Sequence, residues 1–223
     1  MKLWTYNEAK LKIERDLDLQ EESFVTPEEM LAYFNDAIDE AESEIHNLFE
    51  DYFLTEATVT LAAGTDRYSL PSDIFANKIR MLWFSDGQLR YQVKRTRHKN
   101  LPYSDLSDCC YSFQIQHRDP TEGITIKLNP PVTHTGDYLH LQYIRNANRL
   151  ALDTDVIDIP ECMGFIFAYV KEKVCNKESH PLLQSAQAQL EKQRELMLTT
   201  LKSMTIDDDN EVEPDLSFYD DLN

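Results

Sequence analysis

Four stretches of the chain repeat apolar residues at helical spacing, and they frame a middle region where apolar residues recur at every second position. Ala9, Ile13 and Leu17 follow Thr5-Tyr-Asn-Glu8, a sequence that fits a capping box and predicts a helix over 5–18. Thr26-Pro27-Glu28-Glu29 is a stronger start, with Thr as N-cap, Pro at the first helical position and acids in the positively polarised first turn. Val25 and Met30 take the hydrophobic-staple positions. The stripe Met30, Leu31, Phe34, Ile38, Ala41, Ile45, Leu48, Phe49, Tyr52 then predicts a helix over 27–53.

Four of the five glycines (Gly64, Gly87, Gly123, Gly136) fall in turn-like contexts between residues 58 and 145. Asp86-Gly87 separates Ile79–Phe84 from Leu89–Val93 as in a hairpin. Asp119-Pro-Thr-Glu-Gly123 links two runs in which Phe113/Ile115 and Ile124/Ile126/Leu128 alternate as half-buried strands do, and Leu139, Leu141 and Tyr143 make a last strand. Residues 57–145 are therefore expected to be an antiparallel β insertion of roughly six strands. Beyond it, Asp158-Ile-Pro-Glu161 opens a predicted helix over 160–176 with little polar surface. Ser179-His180-Pro181 opens another over 181–204, whose narrow stripe (Leu183, Ala186, Leu190, Met197, Leu201, Met204) is interrupted by Gln193 and calls for one neighbour. The fold class is α+β: an antiparallel helical bundle from 1–56 and 146–204, the β insertion at 57–145, and an extended acidic C-terminal tail at 205–223.

A hydrophobic fraction of 42 % can furnish a core, and no apolar run approaches the ~18 residues of a membrane span. The N-terminus lacks the apolar stretch of a signal peptide. Four cysteines without a Cys-x-x-Cys pair fit a reduced protein made in a cytoplasm better than a disulfide scaffold.

Forty acids against 22 bases give a net charge of −18, which repels phosphate backbones unless the charge is segregated. It is segregated. Residues 78–99 hold seven bases (Lys78, Arg80, Arg90, Lys94, Arg95, Arg97, Lys99) and one acid, whereas 205–223 hold eight acids and no base. The basic stretch reads either as a solvated strand face or as a contact surface for an acidic neighbour, such as another copy of the chain, ahead of a lone DNA-binding patch. In the tail, Leu216, Phe218, Tyr219 and Leu222 punctuate the acids. A segment that only solvates needs no aromatics; apolar anchors among charges suit one that orders on a partner.

Chemistry finds little support. His98, His117, His134 and His140 lie in the β region with Cys109 and Cys110, but none has metal-ligand spacing. Asp153-x-Asp155-x-x-Asp158 lacks the glycine and terminal glutamate of a calcium loop, and reads as a strand end and a helix cap. There is no nucleophile elbow, phosphate loop or dinucleotide fingerprint. No catalytic residue, cofactor or metal is assigned.

The series from Ala57-Thr-Val-Thr-Leu61 through Gly64, Arg67-Tyr-Ser-Leu-Pro71 and Ser72-Asp-Ile-Phe75, mirrored by Gly136–Arg145, Leu150, Asp153-Thr-Asp155 and Ile157-Asp-Ile-Pro-Glu161, resembles the head-to-tail adaptors of tailed bacteriophages. It is most similar to those with a β region, including the tail-tubular ring proteins of short-tailed phages. The resemblance implies a structural virion protein, not an enzyme, at the head-tail junction. It would form a ring, typically a dodecamer, below the portal protein, with DNA passing through the lumen without specific binding and a tail or second ring protein attached beneath. The main rival is an acidic DNA mimic that inhibits a nucleic-acid-binding protein, expected to be a monomer or dimer; a metal-dependent hydrolase comes third.

Overall fold

Both threonine caps close as capping boxes. The Glu8 amide donates to Thr5 Oγ1 at 3.3 Å while the Thr5 amide donates to Glu8 at 3.2 Å, starting α1 (Tyr6–Asp16). Thr26 and Glu29 repeat the exchange at 3.3 and 2.9 Å, with Pro27 opening α2 (Pro27–Leu48). Each box satisfies two amides that a helix start otherwise leaves without partners.

The computed structural model describes residues 2–19, 24–85, 90–95, 112–119, 123–129, 131–133 and 137–208. Two units emerge, one built from Met1–Phe49 with Ala147–Asn223, the other from Glu50–Asn146.

In the first unit α1 packs on α3 (Met163–Lys177), and α2 packs on both α3 and α4 (Leu183–Asp208). α2 turns Met30, Phe34, Ala37, Ile38, Ala41 and Ile45 inward, and α3 buries Phe165, Ile166, Ala168, Val170 and Val174. Among the described side chains of α4, Ala186, Met197 and Leu201 are the buried ones, in keeping with its narrow stripe. Gln193, which interrupts that stripe, lies over Gly164 of α3: a Cβ there would stand 2.5 Å from Gln193 Oε1. The glycine leaves room for the end of the Gln193 side chain.

Two expectations change here. The second helix ends at Leu48, where Phe49 leaves helical geometry (φ −140°, ψ 78°), and residues Glu50–Phe53 form a 3₁₀ turn that buries Phe53. The Pro160 start is likewise a 3₁₀ turn, Pro160–Cys162, before α3 proper. A two-stranded ribbon that the residue pattern did not announce, β1 (Trp4–Thr5) with β10 (Val156–Ile157), pairs the start of α1 with the chain before Pro160.

The second unit holds two four-stranded sheets. One runs β2 (Leu54–Thr60), β9 (Tyr138–Arg145), β4 (Ile74–Ser85), β5 (Arg90–Gln92); the other runs β3 (Arg67–Ser69), β8 (Gly123–Asn129), β7 (Ser112–Asp119), β6 (Lys94–Arg95). Leu82, Phe84, Leu139, Leu141 and Tyr143 of the first share one core with Tyr68, Phe113, Ile126 and Leu128 of the second. The ladders are antiparallel with one correction to the expectation: β6 pairs parallel with β7. The turns expected at 86–89 and 120–122 lie outside the described residues.

β4 is not a regular strand. Its register against β9 shifts between Ile74 and Met81, and Ala76 and Asn77 sit at φ 45° and 59°, the left-handed region that side chains with a Cβ resist. Ala76 is exposed, so removing its Cβ sacrifices no packing. Ala76→Gly is expected to stabilise the protein by about 0.5–1 kcal/mol, the left-handed strain less the entropy of the extra glycine. A urea midpoint that stays put or falls would show that the bulge carries no strain.

Candidate functional site

The sequence signature flanking the β region is the framework of that unit. β2 pairs with β9 over its whole length, from Leu54↔Ile144 to Thr60↔Tyr138. Tyr68, from Arg67-Tyr-Ser-Leu-Pro71, ties down the Gly64 turn: its hydroxyl lies 3.1–3.2 Å from the Ala62 and Thr65 carbonyls and accepts from the Ala62 amide at 3.2 Å. Gly64 itself takes φ +79°. Asp73 joins the two ends of the signature. Its carboxylate accepts from Tyr143 at 3.0 Å, and its carbonyl accepts from the Asn146 amide at 2.7 Å. Burial first, and the Asp73 bond second, push the Tyr143 hydroxyl up to about 12, so it stays a donor.

In the helical unit, one edge of α2 grips an extended segment. Asn35 reads Leu150 as a backbone strand would, donating to its carbonyl at 3.0 Å and accepting from its amide at 2.9 Å. Asp39, one turn on, ion-pairs with Arg149 at 2.5 Å, and Glu42 accepts from the Ala147 amide at 2.9 Å. Desolvation pushes the Asp39 carboxyl above its usual range, against the pull of Arg149. The rest of the segment is held by its own acids. Asp155 accepts from Ala151 and Leu152 at 2.7 and 2.8 Å, and Asp158 accepts from Asn148 at 3.2 Å. The carboxylate series that invited a calcium reading thus spends Asp155 and Asp158 on backbone amides, and among the described residues no cluster could hold a metal ion.

The seven bases of the 78–99 stretch divide. Lys78 ion-pairs with Glu50, and Arg80 bridges Glu50 and Asp51 at 2.6 Å each. Arg95 is exposed in β6 and makes no ion pair among the described residues. Arg90 belongs to β5 and Lys94 to β6. Arg97 and Lys99 lie outside the described residues, as do the tail residues Leu216, Phe218, Tyr219 and Leu222. Four of the other bases brace the helices: Lys171 meets Asp16 at 2.5 Å, Lys177 meets Glu29, Arg194 meets Glu40 and Glu44 at 3.1 and 2.7 Å, and Lys12 meets Asp16 at 2.9 Å.

These pairs set an acid limit. Lys78 and Arg80 hold the Glu50 carboxyl below its usual value, and Lys171 does the same to Asp16. A carboxylate whose pKa is lower folded than unfolded stabilises the fold above the unfolded value, and that contribution disappears as pH falls through the folded one. The thermal midpoint should therefore drop as pH falls below about 4. Lys78→Met with Arg80→Met should flatten that slope; an unchanged slope would mean that the pairs contribute nothing.

The whole arrangement is a scaffold with charged and extended surfaces. The sequence model of a family described as SU10 adaptor protein matches residues 4–214, which take in both units. The chain belongs to this family of phage head-to-tail adaptors. No curated protein matches the adaptor significantly. Family membership makes it a structural phage protein at the head-tail junction, interacting with portal and tail components. No described helix of the adaptor is long and apolar enough to cross a membrane.

The α2 stripe of Asn35, Asp39 and Glu42 is what the residue pattern passed over. Their i, i+4, i+7 spacing places them on one face of the helix, but Asp36, Glu40 and Glu44 recur at helical spacing as well, so the sequence alone did not set them apart.

Proposed function

We propose that the adaptor assembles as a ring, a dodecamer in the full assembly, beneath the portal, where it extends the DNA channel and offers the attachment platform for the tail. In this reading the helices of the first unit form an antiparallel bundle. The β unit and the acidic tail provide contacts to neighbours, with Leu216, Phe218, Tyr219 and Leu222 as anchors. The observation that carries the reading is the family match over residues 4–214. Charge supports it: subunits of −18 around a lumen repel the DNA backbone and let the genome slide, because affinity for phosphate comes from neutralising cations. Two unlike charged regions on one chain also suit head-to-tail contacts between neighbours.

The mass of the purified protein, measured under native conditions alone and with portal, tests this. A closed ring in either sample is the expected result. A monomer or dimer in both, with tight binding to a nucleic-acid enzyme, would replace it with the DNA-mimic reading.

A further inference from the structure

We propose that the acidic C-terminal segment beyond Asp208 of one copy docks on the basic ribbon Arg90–Arg95 of a second copy. The inference rests on the ring reading and names the occupant of one contact within it. The ribbon is one extended run. β5 pairs with β4, the Val93 amide donates to the Leu82 carbonyl at 2.8 Å with its side chain buried, and β6 then joins the other sheet beside β7. β5 and β6 are each the last strand of their sheet, so among the described residues no further strand pairs with the outer edge of the ribbon.

Charge selects the occupant. The ribbon carries Arg90, Lys94 and Arg95 and no acid, whereas Lys78 and Arg80 on β4 and Lys127 on β8 already meet acids of their own unit. Residues 209–223 carry six acids, no base, and apolar residues at alternate positions, Leu216 and Phe218, as an added strand requires. Of the other two terminal strands, β2 carries Glu56 and no base, and β3 carries the single base Arg67 next to Asp66, so charge favours the ribbon over both. Two unlike surfaces of one chain that complement each other make a heterologous contact, the kind that builds rings, so the donor is a second copy.

The test uses full-length protein with a photo-crosslinking amino acid in place of Phe218, assembled from a mixture of isotopically labelled and unlabelled chains. The expected product joins residue 218 to the peptide containing Arg90–Arg95, with labelled chains linked to unlabelled ones and the yield falling as salt rises. Arg90→Glu, Lys94→Glu and Arg95→Glu together should lower that yield about tenfold or more, and Asp215→Lys, Asp220→Lys and Asp221→Lys on the partner should restore it. Arg95→Glu alone, at an exposed position, serves if the triple variant fails to fold. Crosslinks that land elsewhere, or that join only chains of one isotope, overturn the proposal. Native mass of the same samples separates the failures: a ring with crosslinks elsewhere defeats this contact alone, and absence of a ring defeats the reading beneath it.

Discussion

Replacing Phe34 with alanine should cost the adaptor about 3–5 kcal/mol, the range for emptying a fully buried aromatic site. Phe34 has no exposed surface and sits in the middle of the inward face of α2. Its ring meets Tyr6 edge-on, with centroids 5.5 Å apart and planes at 85°, and the Tyr6 hydroxyl reaches the Pro27 carbonyl at 3.5 Å. The truncation therefore opens a cavity and also loosens the contact between α1 and the start of α2. Its neighbours are themselves stiff or small (Ala37, Ile38, Ala41), so the site has little with which to collapse. Urea unfolding followed by circular dichroism reads the effect. A loss under about 1 kcal/mol would put this face of α2 against solvent and undo the packing described for the helical unit.

Asn35→Leu should be the next most damaging change, at about 2–4 kcal/mol, because it leaves both the amide and the carbonyl of buried Leu150 without partners. Leucine keeps the bulk and helix propensity of the position, so the loss isolates the hydrogen bonds. Asn35→Asp retains the acceptor for the Leu150 amide and sets a carboxylate against its carbonyl, and should fall between wild type and Asn35→Leu. Equal stability of all three proteins would mean that water serves Leu150 as well as Asn35 does.

What could be read from the residues was whatever is decided locally. The Thr5/Glu8 and Thr26/Glu29 boxes close between residues three apart, and the alternation of Leu139, Leu141 and Tyr143 follows from the pleat, so both were visible before any packing was considered. The end of α2 was not. Phe49, Tyr52 and Phe53 continue the helical period, and only the burial of Phe53 through a 3₁₀ turn draws them out of it. The parallel pairing of β6 with β7 joins strands on either side of residues 96–111, beyond the reach of the hairpin signals that announce antiparallel neighbours. For the same reason Asn35, Asp39 and Glu42 looked like an ordinary solvated edge. Their partners, residues 147–150, come about a hundred positions later. The basic stretch was legible as charge, but its division into self-neutralised Lys78 and Arg80 and exposed Arg95 depends on the 3₁₀ turn that carries Glu50 and Asp51.

The helical unit is written in two instalments, with the whole β unit between them. During synthesis α1 and α2 leave the ribosome long before α3, the helix on which α2 packs most, has been translated. At ~5–20 residues per second the wait is on the order of ten seconds. For that time the apolar face of α2 has only α1 to cover it, through contacts such as Tyr6 on Phe34, while Glu50–Asn146 already has every strand it needs. The nascent chain therefore passes through a stage with a completed β unit and two helices short of most of their apolar cover, the stage at which a holding chaperone would gain most purchase and at which crowded, simultaneous translation of many copies carries its greatest risk of mispairing.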